Sequence, residues 1–144
     1  MNLAIKLTLL ASGLFLFVGM LGGILKYRGL MRSPDHCAPA YIDIAHRAAL
    51  MYSFAALVMA ELLKYSPYSL GMQLLITGAP LFFFATAIAQ YFKLGLANQT
   101  DNQFRQRNFS TTWGMWLLIV GEVGGVGFIL WGFVATQFLG WPLA

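Results

Sequence analysis

The chain has 144 residues, of which 59% are hydrophobic and only 10% are charged. A soluble domain of this length needs more polar residues to cover its surface, so the composition excludes an ordinary soluble globular protein. The formal net charge is +4, but basic runs interleaved with aromatic residues are absent, so no nucleic-acid partner is expected. A lone Cys37 cannot form an internal disulfide. We therefore expect one membrane-embedded domain over residues 1–144.

Four apolar stretches of the sequence are long enough to cross a lipid bilayer, which takes about 20 apolar residues. In chain order they cover roughly residues 4–25, 42–64, 70–96 and 112–138. The hydrocarbon region offers no hydrogen-bond partner to the backbone, so each stretch must satisfy its own amides as a helix. The predicted fold class is all-α, a four-transmembrane-helix bundle whose first partner is the lipid bilayer.

The polar connections between these stretches set the predicted topology. The second connection, Tyr65-Ser66-Pro67-Tyr68, is short enough to make helices 2 and 3 antiparallel neighbours. The two long connections, 26–41 and 97–108, carry most of the basic residues, which the positive-inside rule places in the cytoplasm. The basic residues on that side are Lys26, Arg28, Arg32, Arg47, Lys93, Arg105 and Arg107, against Lys6 and Lys64 on the other. This predicts a multi-pass protein of the bacterial inner membrane.

Two small-residue motifs predict places where helices approach closely. Gly19 and Gly23 lie four apart in helix 1, and Gly121 and Gly125 do the same in helix 4, where Gly132 extends the pattern. Such grooves serve packing within one chain or between subunits. Because small-residue spacings are frequent in membrane helices, packing within the chain is the favoured interpretation for each motif.

The first turns of helix 2 hold three ionisable residues, Asp43, His46 and Arg47. Asp43 and His46 are three residues apart, so the carboxylate could accept a hydrogen bond from the imidazole and turn its other nitrogen inward. This arrangement suits a metal or haem ligand. The alternative is an acidic residue favoured by the helix dipole beside an interfacial histidine that only forms hydrogen bonds.

Two glutamates lie deeper along the predicted helices. Glu61 precedes Lys64 by three residues near the opposite membrane border, which predicts an ion pair between them. Glu122 lies beside the glycines of helix 4. It is either a buried proton-accepting group or the partner of Arg47 or Lys93, and a charge at that depth is costly without such a role.

Two further sets of polar residues are candidate sites. The segment Asp35-His36-Cys37 offers three metal-ligand types in a row, but adjacent residues point in different directions, so a solvated loop is favoured. Helix 3 carries Gln90 and Tyr91 in an otherwise apolar stretch. A tyrosine directed into a cavity can donate a hydrogen bond to a bound oxygen atom, although a packing tyrosine is more common.

Three features of the sequence together resemble the styrene oxide isomerase family. They are the helix 2 segment Ile44-Ala45-His46-Arg47-Ala48-Ala49-Leu50, Tyr91 at the family's separation from the histidine, and Asn102-Gln103-Phe104 in the last loop. Gly22 and Gly23 at the end of helix 1 also fit. The resemblance implies a four-helix membrane enzyme that binds haem b through His46, with Asp43 and Arg47 beside the cofactor, and that assembles as a homotrimer.

The resemblance also implies catalytic roles for two tyrosines. Tyr91 corresponds to the family's catalytic tyrosine, and Tyr52 stands where the family has a catalytic asparagine. The expected reaction is the isomerisation of an epoxide, or of another small apolar oxygenated substrate, to a carbonyl compound. The substitution of asparagine by Tyr52 changes the hydrogen bonding of the pocket, and it leaves the substrate and even the reaction type open.

Two other functions are compatible with the same residues. One is a small membrane cytochrome or haem sensor, in which Met51, Met59 or Met72 is the second ligand of the iron. The other is a non-enzymatic accessory subunit of a membrane complex, in which the glycine grooves bind partner helices and His46 is only interfacial.

Overall fold

The computed structural model confirms the all-α fold class and describes residues 1–105 and 109–143, apart from the side chain of Ser110. Its four long helices are α1 (Leu3–Arg32), α2 (Ala40–Leu62), α3 (Leu70–Ala97) and α4 (Met115–Phe138). All four spans are long and apolar enough to cross a membrane, so the chain is a multi-pass integral membrane protein. Arg107, which contributed to the predicted topology, lies outside the described residues.

The ends of the helices follow from local sequence. α1 runs about two turns beyond its predicted end, and this extension contacts the rest of the chain where Lys26 pairs with Asp43 of α2 and Gly29 lies against Ala38 and Pro39. It stops at Ser33, where Pro34 disfavours helical geometry in the preceding residue. α4 is preceded by one π-helical turn, Ser110–Gly114, in which the Gly114 amide donates to the Phe109 carbonyl.

The helices pack in sequence order as an up-down-up-down bundle, with the closest association between α1 and α2. The turn after α2 is a short 3-10 segment, Leu63–Tyr65, and α3 returns antiparallel beside α2 as predicted. The predicted ion pair at this end is confirmed, since Lys64 Nζ lies 2.6 Å from Glu61 Oε2. Large apolar side chains cover the outward faces of α1 and α4, where lipid would contact them.

The glycine motifs are confirmed as packing positions within the chain. A methyl group at Gly19 would lie 2.7 Å from Leu50 of α2, and one at Gly121 would lie 2.3 Å from the Phe83 ring of α3. A methyl group at Gly132 would lie 2.8 Å from the ring of Tyr68. These glycines therefore let neighbouring side chains fill the space that a Cβ would take.

Gly125 has a more specific role, because it faces a break in the hydrogen bonding of α3. Pro80 lies inside α3 and has no N–H, so the Ile76 carbonyl one turn earlier loses its helical donor. A Cβ at Gly125 would lie 2.5 Å from that carbonyl oxygen. The α4 backbone thus covers a carbonyl that would otherwise face an apolar environment, where an unsatisfied polar group is costly.

We predict that Gly125→Ala destabilises the bundle by about 1–3 kcal/mol, the usual cost of overpacking, because α4 must move away from α3. Gly127→Ala on the same helix is the matched control, since nothing lies within 4 Å of a Cβ at that position. The measurement is the free energy of unfolding of both variants in detergent micelles. Equal stabilities for the two variants would contradict the role of Gly125.

Candidate functional site

The His46 imidazole lies against α1 rather than beside Asp43. Its Nδ1 atom is 2.8 Å from the Gly19 carbonyl oxygen, so Nδ1 carries the proton and donates. A methyl group at Gly23 would lie 3.2 Å from Cε1 of the same ring. The two glycines of helix 1 therefore make room for the histidine and provide its hydrogen-bond acceptor. The ring is half-buried in the isolated chain.

The second nitrogen of this ring has no protein partner. Among the residues that the structure describes, no hydrogen bond or ion pair involves Nε2 of His46. The bond at Nδ1 leaves the Nε2 lone pair available. Histidines that bind metals commonly have this arrangement, in which one nitrogen binds the metal and the other donates to a backbone carbonyl or a carboxylate.

The sequence predicted that Asp43 could accept a hydrogen bond from His46, and this prediction is wrong. The carboxylate is instead held by two cations. Asp43 Oδ1 lies 2.6 Å from Lys26 Nζ of α1, and Asp43 Oδ2 lies 2.8 Å from a terminal nitrogen of Arg47. The sequence did not identify Lys26 as a partner of Asp43, because the distance between them depends on how α1 packs on α2. The result is a partly exposed network of two cations and one anion beside the imidazole.

A second group of polar side chains gathers on the other side of α2. Tyr52 stacks on Phe84 of α3, with ring centroids 4.1 Å apart, and Tyr91 stacks on Tyr41 at 6.1 Å. Glu122 of α4 lies within electrostatic range of both tyrosines, although no hydrogen bond joins it to either of them among the described residues. Three helices thus bring Tyr52, Tyr91 and Glu122 together, although they are far apart in the sequence.

A cavity of about 250 Å³ lies between α3, α4 and the loop that connects them. Its polar lining residues are Thr86, Gln90, Tyr91, Gln103 and Thr111, and its remaining walls are apolar or glycine. The Gln103 amide donates to the Tyr41 hydroxyl at 2.6 Å, which ties the last loop to the ring that stacks on Tyr91. Of the two positions that the sequence left open for Tyr91, the structure shows the one at a cavity, and Gln90 lies beside it.

His46 and Tyr91 do not share the cavity that the described residues form between α3 and α4. His46 contacts α1, and it is not among the residues that line this cavity. Tyr52 follows His46 by six residues and points about 120° away from it around α2. The sequence identified these residues, but which groups line the cavity beside Tyr91 depends on how α3 packs against α4.

The remaining candidates are settled by their surroundings. Asp35, His36 and Cys37 are all exposed, which confirms the solvated loop. Residues 1–105 and 109–143 contain no group of three or more His, Cys, Asp or Glu side chains placed to hold a metal ion. A metal at His46 would therefore have to bring most of its own ligands, as the iron of a haem does.

Tyr41 and Gln103 are site residues whose role the sequence did not reveal. Tyr41 begins the second apolar stretch, where an aromatic residue is expected at a membrane border whatever the function. Gln103 belongs to the loop segment that carries the family resemblance, and this was the sequence signal that pointed to it.

Comparison of the chain with models of protein families, with curated proteins and with solved structures found no match.

We predict that the imidazole of His46 is the Nδ1–H tautomer in the neutral state, because the Gly19 carbonyl can only accept a hydrogen bond. Nitrogen NMR of haem-free protein with labelled histidine, under mildly alkaline conditions, should show a protonated Nδ1 and an unprotonated Nε2. His36→Gln leaves His46 as the single histidine and assigns the signals. A protonated Nε2 would contradict the described geometry.

Proposed function

We propose that this protein is a haem b-dependent membrane isomerase resembling styrene oxide isomerase, which converts an epoxide or a similar small apolar oxygenated substrate to a carbonyl compound. One observation carries the proposal. The imidazole of His46 is fixed by a bond from Nδ1 to the Gly19 carbonyl, and its Nε2 has no partner among the described residues. This is the state of a histidine ready to bind iron.

The surroundings of His46 fit a haem in two further respects. The ring is half-buried at the edge of α1 and α2, so it is not enclosed by its own chain. Lys26 and Arg47 lie beside it at the membrane border, with side-chain exposures of 34% and 65%, and they are suited to pair with the carboxylates of a haem. Asp43 would position these two cations rather than the imidazole.

A bound ferric haem would supply a Lewis acid to the epoxide oxygen, which favours C–O cleavage and a hydride shift without net redox change. The chain's own contribution comes from Tyr91 and Tyr52. Their hydroxyl groups can donate hydrogen bonds to the oxygen atom on which negative charge develops. The apolar part of the cavity lining beside Tyr91, which includes Phe83, Met115 and Leu118, would favour an apolar substrate over the water that could trap the positive carbon as a diol.

A homotrimer, which the resemblance implies, would reconcile this chemistry with the geometry of one chain. In a single copy, His46 contacts α1 and does not line the cavity beside Tyr91. A neighbouring copy can bring its own tyrosines to the half-buried face of His46, so that the site is completed between subunits. The location proposed for this assembly is the bacterial inner membrane.

The isomerase is preferred to a cytochrome because the candidate sulfur ligands are poorly placed. Met59 is 2% exposed in the core, and it lies about 20 Å from His46 along α2. Met72 lies near the start of α3, which adjoins the far end of α2. Met51 is 68% exposed and lies more than a turn away. A sixth position open to substrate is therefore the simpler arrangement.

We predict that protein purified after expression with adequate haem supply has a Soret absorption band, because Nε2 of His46 binds the iron. The band should be lost in His46→Ala and retained in His36→Ala, whose imidazole lies in the exposed loop. A folded but colourless wild-type preparation would exclude the proposal. Co-purification of unrelated chains with that colourless protein would favour an accessory subunit instead.

We predict that Tyr91→Phe lowers kcat for a test epoxide such as styrene oxide by about 100-fold and leaves the Soret band unchanged, since it removes one hydrogen-bond donor from the reacting oxygen. Tyr52→Phe should act in the same direction. Tyr27→Phe is the matched control, because that side chain is exposed at the end of α1. Unchanged kcat in both Tyr91→Phe and Tyr52→Phe would remove the tyrosines from the mechanism.

A further inference from the structure

Glu122 is a carboxyl group inside a membrane span with no partner for one of its oxygens. Its Oε1 atom is inaccessible to solvent and forms no hydrogen bond among the described residues. Neither of the two partners that the sequence suggested forms a described ion pair with Glu122. Arg47 pairs with Asp43, and Lys93 is exposed and forms no described ion pair. The four ion pairs in residues 1–105 and 109–143 all leave Glu122 out.

An ionised carboxylate in this position would be very costly. A buried charge without a counter-ion or hydrogen-bond donors carries a penalty of several kcal/mol, and a group in this position takes up a proton instead. The ionisable groups that face Glu122 are Tyr52 from α2 and Tyr91 from α3, and both are neutral when protonated. Neither of them can balance a negative charge as a cation would.

We propose that Glu122 holds a proton within the membrane, and that this neutral carboxyl group positions the hydroxyl groups of Tyr52 and Tyr91. No hydrogen bond joins Glu122 to either hydroxyl group among the described residues, but a protonated carboxyl is both a donor and an acceptor, so it can bond to a hydroxyl group that comes within reach. The positioning role rests on the proposed isomerase function, whereas the bound proton does not.

Polar groups extend from Tyr91 toward the end of the bundle that bears the long loops. Tyr91 lines the cavity between α3 and α4, and the polar side chains of Gln90 and Gln103 line it too. Gln103 lies in the loop after α3, and its backbone N–H donates to the hydroxyl of Tyr41, which stacks on Tyr91. Glu122 itself does not line this cavity, so its carboxyl group is set apart from these polar groups.

The bound proton is tested with dicyclohexylcarbodiimide on the full chain in detergent. A protonated carboxyl adds across a C=N bond of this apolar reagent, with its proton passing to nitrogen, and the adduct rearranges to a stable acylurea without losing an atom. We predict that mass spectrometry at neutral pH finds the added mass of one reagent molecule on Glu122. Glu61 is the matched control, because it is exposed and paired with Lys64. Glu122→Gln should abolish the labelling.

Two results of this labelling would overturn the bound proton: an unlabelled Glu122, or equal labelling of Glu61 and Glu122. His46→Ala should leave labelling unchanged even though it removes the haem. Loss of the Soret band therefore tests the proposed function separately from the bound proton.

The positioning role is tested by comparing Glu122→Gln with Glu122→Leu in the epoxide assay. Glutamine keeps a neutral donor and acceptor, so kcat should stay within about twofold of wild type, whereas leucine should lower kcat roughly tenfold with the Soret band unchanged. Equal loss in both variants would mean that an ionised carboxylate is required. Equal activity in both would mean that the group only fills space, and either result would overturn the positioning role.

Discussion

The structure depends on one constraint: each polar group within the lipid needs a partner, and helices must approach closely enough to provide it. Glycines allow this approach at the positions that matter most. Gly19 offers its carbonyl to His46, whereas Gly125 lets the α4 backbone shield the Ile76 carbonyl, which Pro80 leaves without a donor and which accepts no described hydrogen bond from α4. Ser12 similarly donates to the Ser53 carbonyl across α1 and α2. The glycine motifs therefore position polar groups as well as permitting dense packing.

Most of the fold could be predicted because the length and apolarity of a span are local properties. The four helices begin and end close to the predicted residues, and the glycine motifs pack within the chain. The end of α1 was placed too early because Lys26 marks the end of the apolar stretch but not of the helix. Lys26 and the residues after it contact other parts of the chain, among them Asp43 of α2, and no local pattern in the sequence predicts such contacts.

The candidate site was less predictable because its contacts join different helices. Spacing placed Asp43 and His46 on one side of α2, and this was the reason for expecting a bond between them. Which partners these two side chains have depends on the groups of α1 that lie next to them. Lys26 forms an ion pair with the Asp43 carboxylate, and the Gly19 carbonyl accepts a hydrogen bond from the His46 imidazole. Similarly, nothing in the local sequence of Glu122 indicates that it lies beside Tyr52 and Tyr91, since that arrangement requires α2, α3 and α4 together.

The arrangement of polar groups gives α2 a central place in any function of this chain. On its α1 side, His46 has a free nitrogen next to a cationic network at the membrane border. On its α3 and α4 side, the hydroxyl groups of Tyr52 and Tyr91 lie in the neighbourhood of a carboxyl that lacks a counter-ion. The first environment suits an anionic, metal-bearing cofactor, and the second suits an uncharged polar substrate atom. Because His46, Arg47 and Tyr52 all belong to α2, a change in the packing of α2 alters the two environments together.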